Sequence, residues 1–184
     1  SAVTIGNTAP VLASVSLTPT TAGEGSTLTC TPGSASDDDG DRISYSYAWT
    51  VGGSAVSATG STLTGTSFDR GDSVACTVTP TDGTDSGSAV SSSAVTIGNT
   101  APVLASVSLT PTTAYEGSTL TCTAGSTSDA DGDPVGVSYA WTVNGSGIST
   151  TGSTLTGSDF DRGDDVVCIA TPDDGTDSGS AVSS

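Results

Sequence analysis

The chain contains no histidine, lysine or methionine, and its only basic side chains are Arg42, Arg70 and Arg162. Without histidine it has no side chain that ordinarily shuttles protons near neutral pH. Without lysine it can form neither a Schiff base nor the Lys–Asn isopeptide crosslinks that stiffen some pilin domains. Twenty acidic residues against three arginines give a formal net charge of −17. Such a surface repels nucleic-acid phosphates and anionic lipid headgroups, so neither is expected as a partner. No apolar run approaches the ~18 residues of a membrane span, so direct membrane insertion is not expected either. No leader pattern is visible, and any targeting segment is expected to lie outside this stretch. Aromatics are scarce, with two Trp, four Tyr and two Phe. Paired carboxylates can hydrolyse glycosides, but here the acids cluster in turn-like segments without aromatic lining. No enzymatic activity is expected.

What the chain does contain is one text written twice. The segment beginning Ser1-Ala2-Val3-Thr4-Ile5-Gly6 recurs at Ser93, and two copies of a 92-residue repeat account for all 184 residues. An ungapped alignment of the copies leaves 73 of 92 positions identical. That period exceeds the ~20–50 residues of solenoid repeats and points to an array of small domains. Read in frame, residues 1–8 are the end of a preceding repeat's last strand plus linker. Repeat 1 covers 9–98, the linker 99–102, and repeat 2 covers 103–184 with its last strand truncated. Joined tail to head, two chains would restore the internal sequence GSAVSSSAVTIGNTAP. The expected partners are therefore copies of this chain, in one covalent array or as docked subunits.

Serine and threonine make up about a third of the residues. Such a composition is compatible with disorder, but strict apolar alternation and regularly placed Cys and Trp favour a folded β protein. Thr suits the outer face of a pleated sheet. Each copy has two cysteines, and since each must solve the same folding problem, the pairing expected is Cys30–Cys76 and Cys122–Cys168. Bridges of this span imply an oxidising, extracellular setting.

In the first copy, strands are predicted at Val11–Leu17, Ser26–Thr31, Ile43–Val51, Ser54–Ala58, Thr62–Thr64, Ser73–Thr79 and Ser88–Ile97. Ile43, Tyr45, Tyr47, Trp49 and Val51 share one face by the period of two. Gly52-Gly53, and Asn144-Gly145 in the second copy, mark tight turns. The fold class expected is all-β: two tandem antiparallel sandwiches of about seven strands each, with one internal disulfide apiece.

With Cys on the second strand, Trp on the third and Cys on the sixth, LTC…YAWTV…GDSVACTVTPTDG followed by VTIGNTAP resembles the bacterial immunoglobulin-like, PKD-like and cadherin-like repeats of large surface proteins and adhesins. The resemblance covers the whole chain. It implies an immunoglobulin-like topology, with Trp49 and Trp141 in the core rather than displayed as sugar-stacking platforms. One departure is that antibody domains carry Tyr two residues before the second Cys, where this chain has Val74 and Val166.

Each copy carries a D-x-D-G-D element: Asp37, Asp39 and Asp41, then Asp129, Asp131 and Asp133. Alternate carboxylates on a turning loop offer the hard oxygen ligands that suit Ca²⁺, although the spacing is not that of an EF-hand. In immunoglobulin topology this loop and the one carrying Asp82 and Asp85, or Asp174 and Asp177, lie at the end where the chain comes in, beside Asn99. Glu24, Asp69 and Asp72 fall at the other end. The expectation is Ca²⁺ at or near the domain junction, stiffening the array as in cadherin-like repeats. Pro102 adds stiffness by holding Ala101 extended.

Arg70-Gly71-Asp72 and Arg162-Gly163-Asp164 spell the integrin-binding tripeptide, but Gly-Asp is also the natural turn before the following strand. Asn144-Gly145-Ser146 fits a glycosylation sequon whose simpler role is the hairpin turn, and O-linked glycans on the Ser and Thr rows are compatible with the sequence. The function expected is that of a structural module in a long extracellular fibre, stalk or adhesin shaft. The alternative is a cell-surface binding module that recognises a receptor or carbohydrate through its loops.

Overall fold

The computed structural model describes all 184 residues as two units, Ser1–Gly98 and Asn99–Ser184. In unit 1 the strands are β1 (Val11–Leu12), β2 (Val15–Thr18), β3 (Thr27–Pro32), β4 (Ala35–Ser36), β5 (Ser44–Val51), β6 (Ser54–Val56), β7 (Thr62–Thr64), β8 (Ser73–Thr81), β9 (Val90–Ser91) and β10 (Val95–Thr96). Unit 2 repeats the first nine as β11 (Val103–Leu104), β12 (Val107–Thr110), β13 (Thr119–Ala124), β14 (Thr127–Ser128), β15 (Gly136–Val143), β16 (Ser146–Gly147), β17 (Thr154–Thr156), β18 (Val166–Asp173) and β19 (Val182–Ser183). There is no α-helix. The one helical turn is a 3-10 turn at Gly65–Ser67.

Each unit is an immunoglobulin-like sandwich. In unit 1 one sheet runs β2-β3-β7, and the other runs β10-β8-β5-β6 with β9 also on β8. Unit 2 repeats this as β12-β13-β17 and β16-β15-β18-β19. A two-strand ladder flanks each sandwich, β1 on β4 and β11 on β14. All these ladders are antiparallel. The predicted first strand divides in two, because Val11–Leu12 pairs with β4 while Val15–Thr18 moves to β3. The predicted last strand also divides, and β9 and β10 lie along the same edge of β8 with a break at Ser92–Ala94.

The core follows from the alternation. Along β8 every second residue, Val74, Cys76, Val78 and Pro80, is buried. Leu28 and Cys30 of β3 and Leu63 of β7 face them from the other sheet. The disulfide Cys30–Cys76, with Cα atoms 6.2 Å apart, ties β3 to β8 across the sandwich, and Cys122–Cys168 at 6.1 Å does the same in unit 2. Trp49 and Trp141 are each 1% exposed. Trp49 stands opposite Cys76 in the β5–β8 register. Its indole Nε1 donates to the carbonyl of Gly60 at 2.9 Å, so the one polar atom of the ring is satisfied inside. Trp141 repeats this with Gly152 at 2.8 Å. The outer faces carry the Ser and Thr rows, as in the pair Thr77–Ser91 at 2.8 Å.

Candidate metal centre

The loop after β4 curls because one carboxylate oxygen holds it. Asp37 Oδ1 accepts the N–H groups of Asp39 (3.0 Å) and Asp41 (3.1 Å), and Gly40 turns the chain with φ +78°. The curl brings one carboxylate oxygen each from Asp37, Asp39 and Asp41 within 4.8 Å of one another. Unit 2 repeats the device: Asp129 Oδ1 accepts from Asp131 (2.9 Å) and Asp133 (3.1 Å), and Asp129, Asp131 and Asp133 converge in the same way. Asp38 lies outside the cluster and is exposed, and the second copy replaces it with Ala130.

The segment leading into each sandwich is fastened to this end. The Thr8 N–H donates to Asp39 Oδ2 at 2.6 Å, and the Thr100 N–H to Asp131 Oδ2 at 2.6 Å. The Asn7 amide donates to Asp82 Oδ2 (3.0 Å) and Asp85 Oδ2 (2.9 Å), and Asn99 donates likewise to Asp174 (2.8 Å) and Asp177 (3.0 Å). Asp82 Oδ1 in turn accepts the N–H groups of Thr84 (2.7 Å) and Asp85 (2.8 Å). The Asn7 amide, followed by those two N–H groups, holds the Asp82 carboxyl below its ordinary value of 3.8.

Asp82 and Asp85 thus belong to an amide-centred latch next to the triplet, and Asn99 serves its own unit as the donor of the equivalent latch. Asn7, Thr8 and Thr100 were not among the residues singled out from sequence. Their identity with, or adjacency to, Asn99 in the repeat is the signal that finds them.

Glu24, Asp69 and Asp72 serve turns at the other end of unit 1. Glu24 Oε1 accepts the Arg70 N–H at 2.6 Å, and Asp72 Oδ2 accepts the Asp69 N–H at 2.9 Å. They do not join a group of three converging carboxylates. The aspartates of both Arg-Gly-Asp triplets therefore have a structural task. In unit 2 the Asp161 N–H, and then the Asn144 amide, lower the Asp164 carboxyl from 3.8. That amide donates at 2.7 Å, so the sequon asparagine is engaged in the turn between β15 and β16, with φ 51°.

The triplets fit a divalent cation. Three carboxylates within 4.8 Å repel one another. In each, one oxygen of the leading aspartate, Asp37 Oδ2 or Asp129 Oδ2, is buried without a hydrogen-bond partner. A buried, uncompensated carboxylate oxygen is costly, and a hard cation satisfies it.

No protein-family model matches this chain, and no curated protein matches it. Among solved structures it is similar to the three N-terminal domains of the bacteriophage RB49 Highly Immunogenic Outer Capsid protein (Hoc), at 21% identity and a TM-score of 0.38. The similarity covers 92% of this chain and 58% of that one, so this chain spans less than two thirds of its length.

Proposed function

We propose that the 92-residue unit is a structural module of an extracellular shaft, arrayed head to tail, of the kind built from bacterial immunoglobulin-like or cadherin-like repeats. The observation that carries this reading is the repetition of one sandwich. Two near-identical units each have their own disulfide, tryptophan core and acidic loop cluster. Length is the property that such repetition multiplies, and a disulfide in each bead secures a core too small to be robust alone. The acidic surface would keep neighbouring shafts apart.

In this reading Ca²⁺ is held by Asp37, Asp39 and Asp41, and by Asp129, Asp131 and Asp133. The ion neutralises the crowded carboxylates and draws the loop toward the lead-in segment that already contacts Asp39 or Asp131 through Thr8 or Thr100. Electron microscopy of native material tests the array, with beads at regular spacing expected. An isolated or irregularly arranged particle would instead favour a ligand-binding module. Scanning calorimetry tests the ion. Ca²⁺ at a hundredfold its dissociation constant is expected to stabilise each unit by about 2.7 kcal/mol over the chelator-treated protein. Asp37→Asn with Asp129→Asn is expected to abolish that difference. Identical melting with and without Ca²⁺ removes the ion from the proposal.

A further inference from the structure

One outer face of each sandwich is a lattice of hydroxyls without charge. On the sheet β2-β3-β7 of unit 1, Ser16 stands opposite Thr31, Thr18, Thr29 and Thr62 form one row, and Thr27 stands opposite Thr64. All are exposed except Thr29, which is half-buried on the central strand. Unit 2 repeats the lattice residue for residue and in the same register on β12-β13-β17. None of the chain's charged or aromatic side chains lies on either lattice.

The two outer faces of a unit differ in how their hydroxyls are used. On the lattice of unit 1 only Ser16, donating to the Thr31 carbonyl at 3.4 Å, and Thr64, paired with Thr66 at 3.1 Å, make hydrogen bonds within the protein. The other five hydroxyls point to solvent with no protein partner. On the opposite sheet the hydroxyls are tied down. Ser44 and Ser46 donate to the carbonyls of Thr81 (3.2 Å) and Thr79 (3.5 Å), Thr50 donates to that of Ala75 (3.4 Å), and Thr77 pairs with Ser91 (2.8 Å).

The copies also treat the two faces differently. Outward positions of a sheet are where substitution ordinarily costs least. Of the five outward positions on β8, four differ: unit 2 has Asp165, Val167, Ile169 and Asp173 where unit 1 has Ser73, Ala75, Thr77 and Thr81. On the lattice, by contrast, all seven residues are the same in both copies. Neither charge nor bulk has entered it.

A docking protein would find no aromatic, arginine or large aliphatic anchor on this face, and a bound sugar no ring to stack on. What the lattice offers is free hydroxyl oxygen. We infer that it is an acceptor surface for O-linked sugars. In the transfer, a threonine Oγ1 attacks the anomeric carbon of a sugar activated as a nucleoside or lipid diphosphate. A C–O glycosidic bond forms as the sugar–phosphate bond breaks. The diphosphate leaves with the bonding electrons, and the hydroxyl proton passes to a base of the transferase. Segments rich in Ser and Thr carry sugars in this way on stalks. Glycans here would cover the face that no carboxylate protects, and the inference holds for a shaft and for a ligand-binding module alike.

Mass spectrometry of peptides from native material tests it, with the same sequence made by cell-free translation as the unmodified reference. Native peptides that span β2, β3 or β7, and their counterparts in unit 2, are expected to exceed the reference by whole numbers of monosaccharide residues. β-Elimination should remove the excess and leave dehydrated residues at lattice positions such as Thr18, Thr29 and Thr62. Native peptides at the unmodified mass overturn the inference. So does sugar confined to Asn144, to the loops or to the outer face of β5 and β8.

Discussion

Val74 and Val166 occupy the same place in two repeats that share 73 of 92 residues, yet Val74 is fully buried and Val166 is not. Leu17 and Leu109 differ in the same way, as do Ala22 and Ala114. None of these six residues is itself changed between the copies. The difference follows the two-residue strand β10, which unit 1 takes from the segment joining it to unit 2. The core of that sandwich is thus completed by Val95 and Ile97, the end of its predicted last strand.

The largest test of this comparison removes what the units share. Replacing Cys30 and Cys76 by alanine should cost unit 1 about 4 kcal/mol in the chain-entropy view, lowering its melting temperature by about 20 °C. Calorimetry should then show unit 2 melting above unit 1. In the unaltered protein the two transitions should lie closer together, because each unit then keeps its disulfide.

A narrower test touches only the difference. Ile97→Ala should destabilise unit 1 by about 2–4 kcal/mol through the cavity it leaves, with the transition of unit 2 unmoved. Ile5→Ala, the same change in the same hexapeptide, should shift neither transition, because Ile5 is exposed. Equal effects of the two substitutions would contradict the burial pattern.

The smallest effect concerns acid. The Asp82 carboxyl is lowered from 3.8 chiefly by Asn7, so its stabilising contribution is present above that value and is lost as pH falls through the lowered one. Asn7→Ala should make unit 1 slightly less stable at neutral pH and flatten its loss of stability below pH 3.8, leaving the acid profile of unit 2 unchanged. Melting curves between pH 2 and 7 would show this.

Much of the fold was legible because strand alternation is a local signal. Val74, Cys76 and Val78 announce β8, Trp49 announces β5, and the cysteine pairing follows from the repeat itself. The divided first and last strands were not legible. The positions at which Leu12 and Val15 leave one partner for another, and at which β9 gives way to β10, depend on tertiary pairing rather than on period.

In the candidate site, the alternate aspartates were legible as a converging set. The latch was not. Asn7 and Thr8 lie more than 30 residues from the loops they fasten, and nothing local marks an asparagine as the donor that joins two distant carboxylates.

The cross-sheet cystine also has a mechanical consequence. It shunts a span of 46 residues in every 92-residue period, so a pull on the termini cannot lengthen that half of the backbone. A repeat torn open under load would therefore extend to only roughly 150–165 Å, set by the residues outside the cystine loop. Reducing agents would release the remainder, about doubling the stretch per repeat in a force–extension trace.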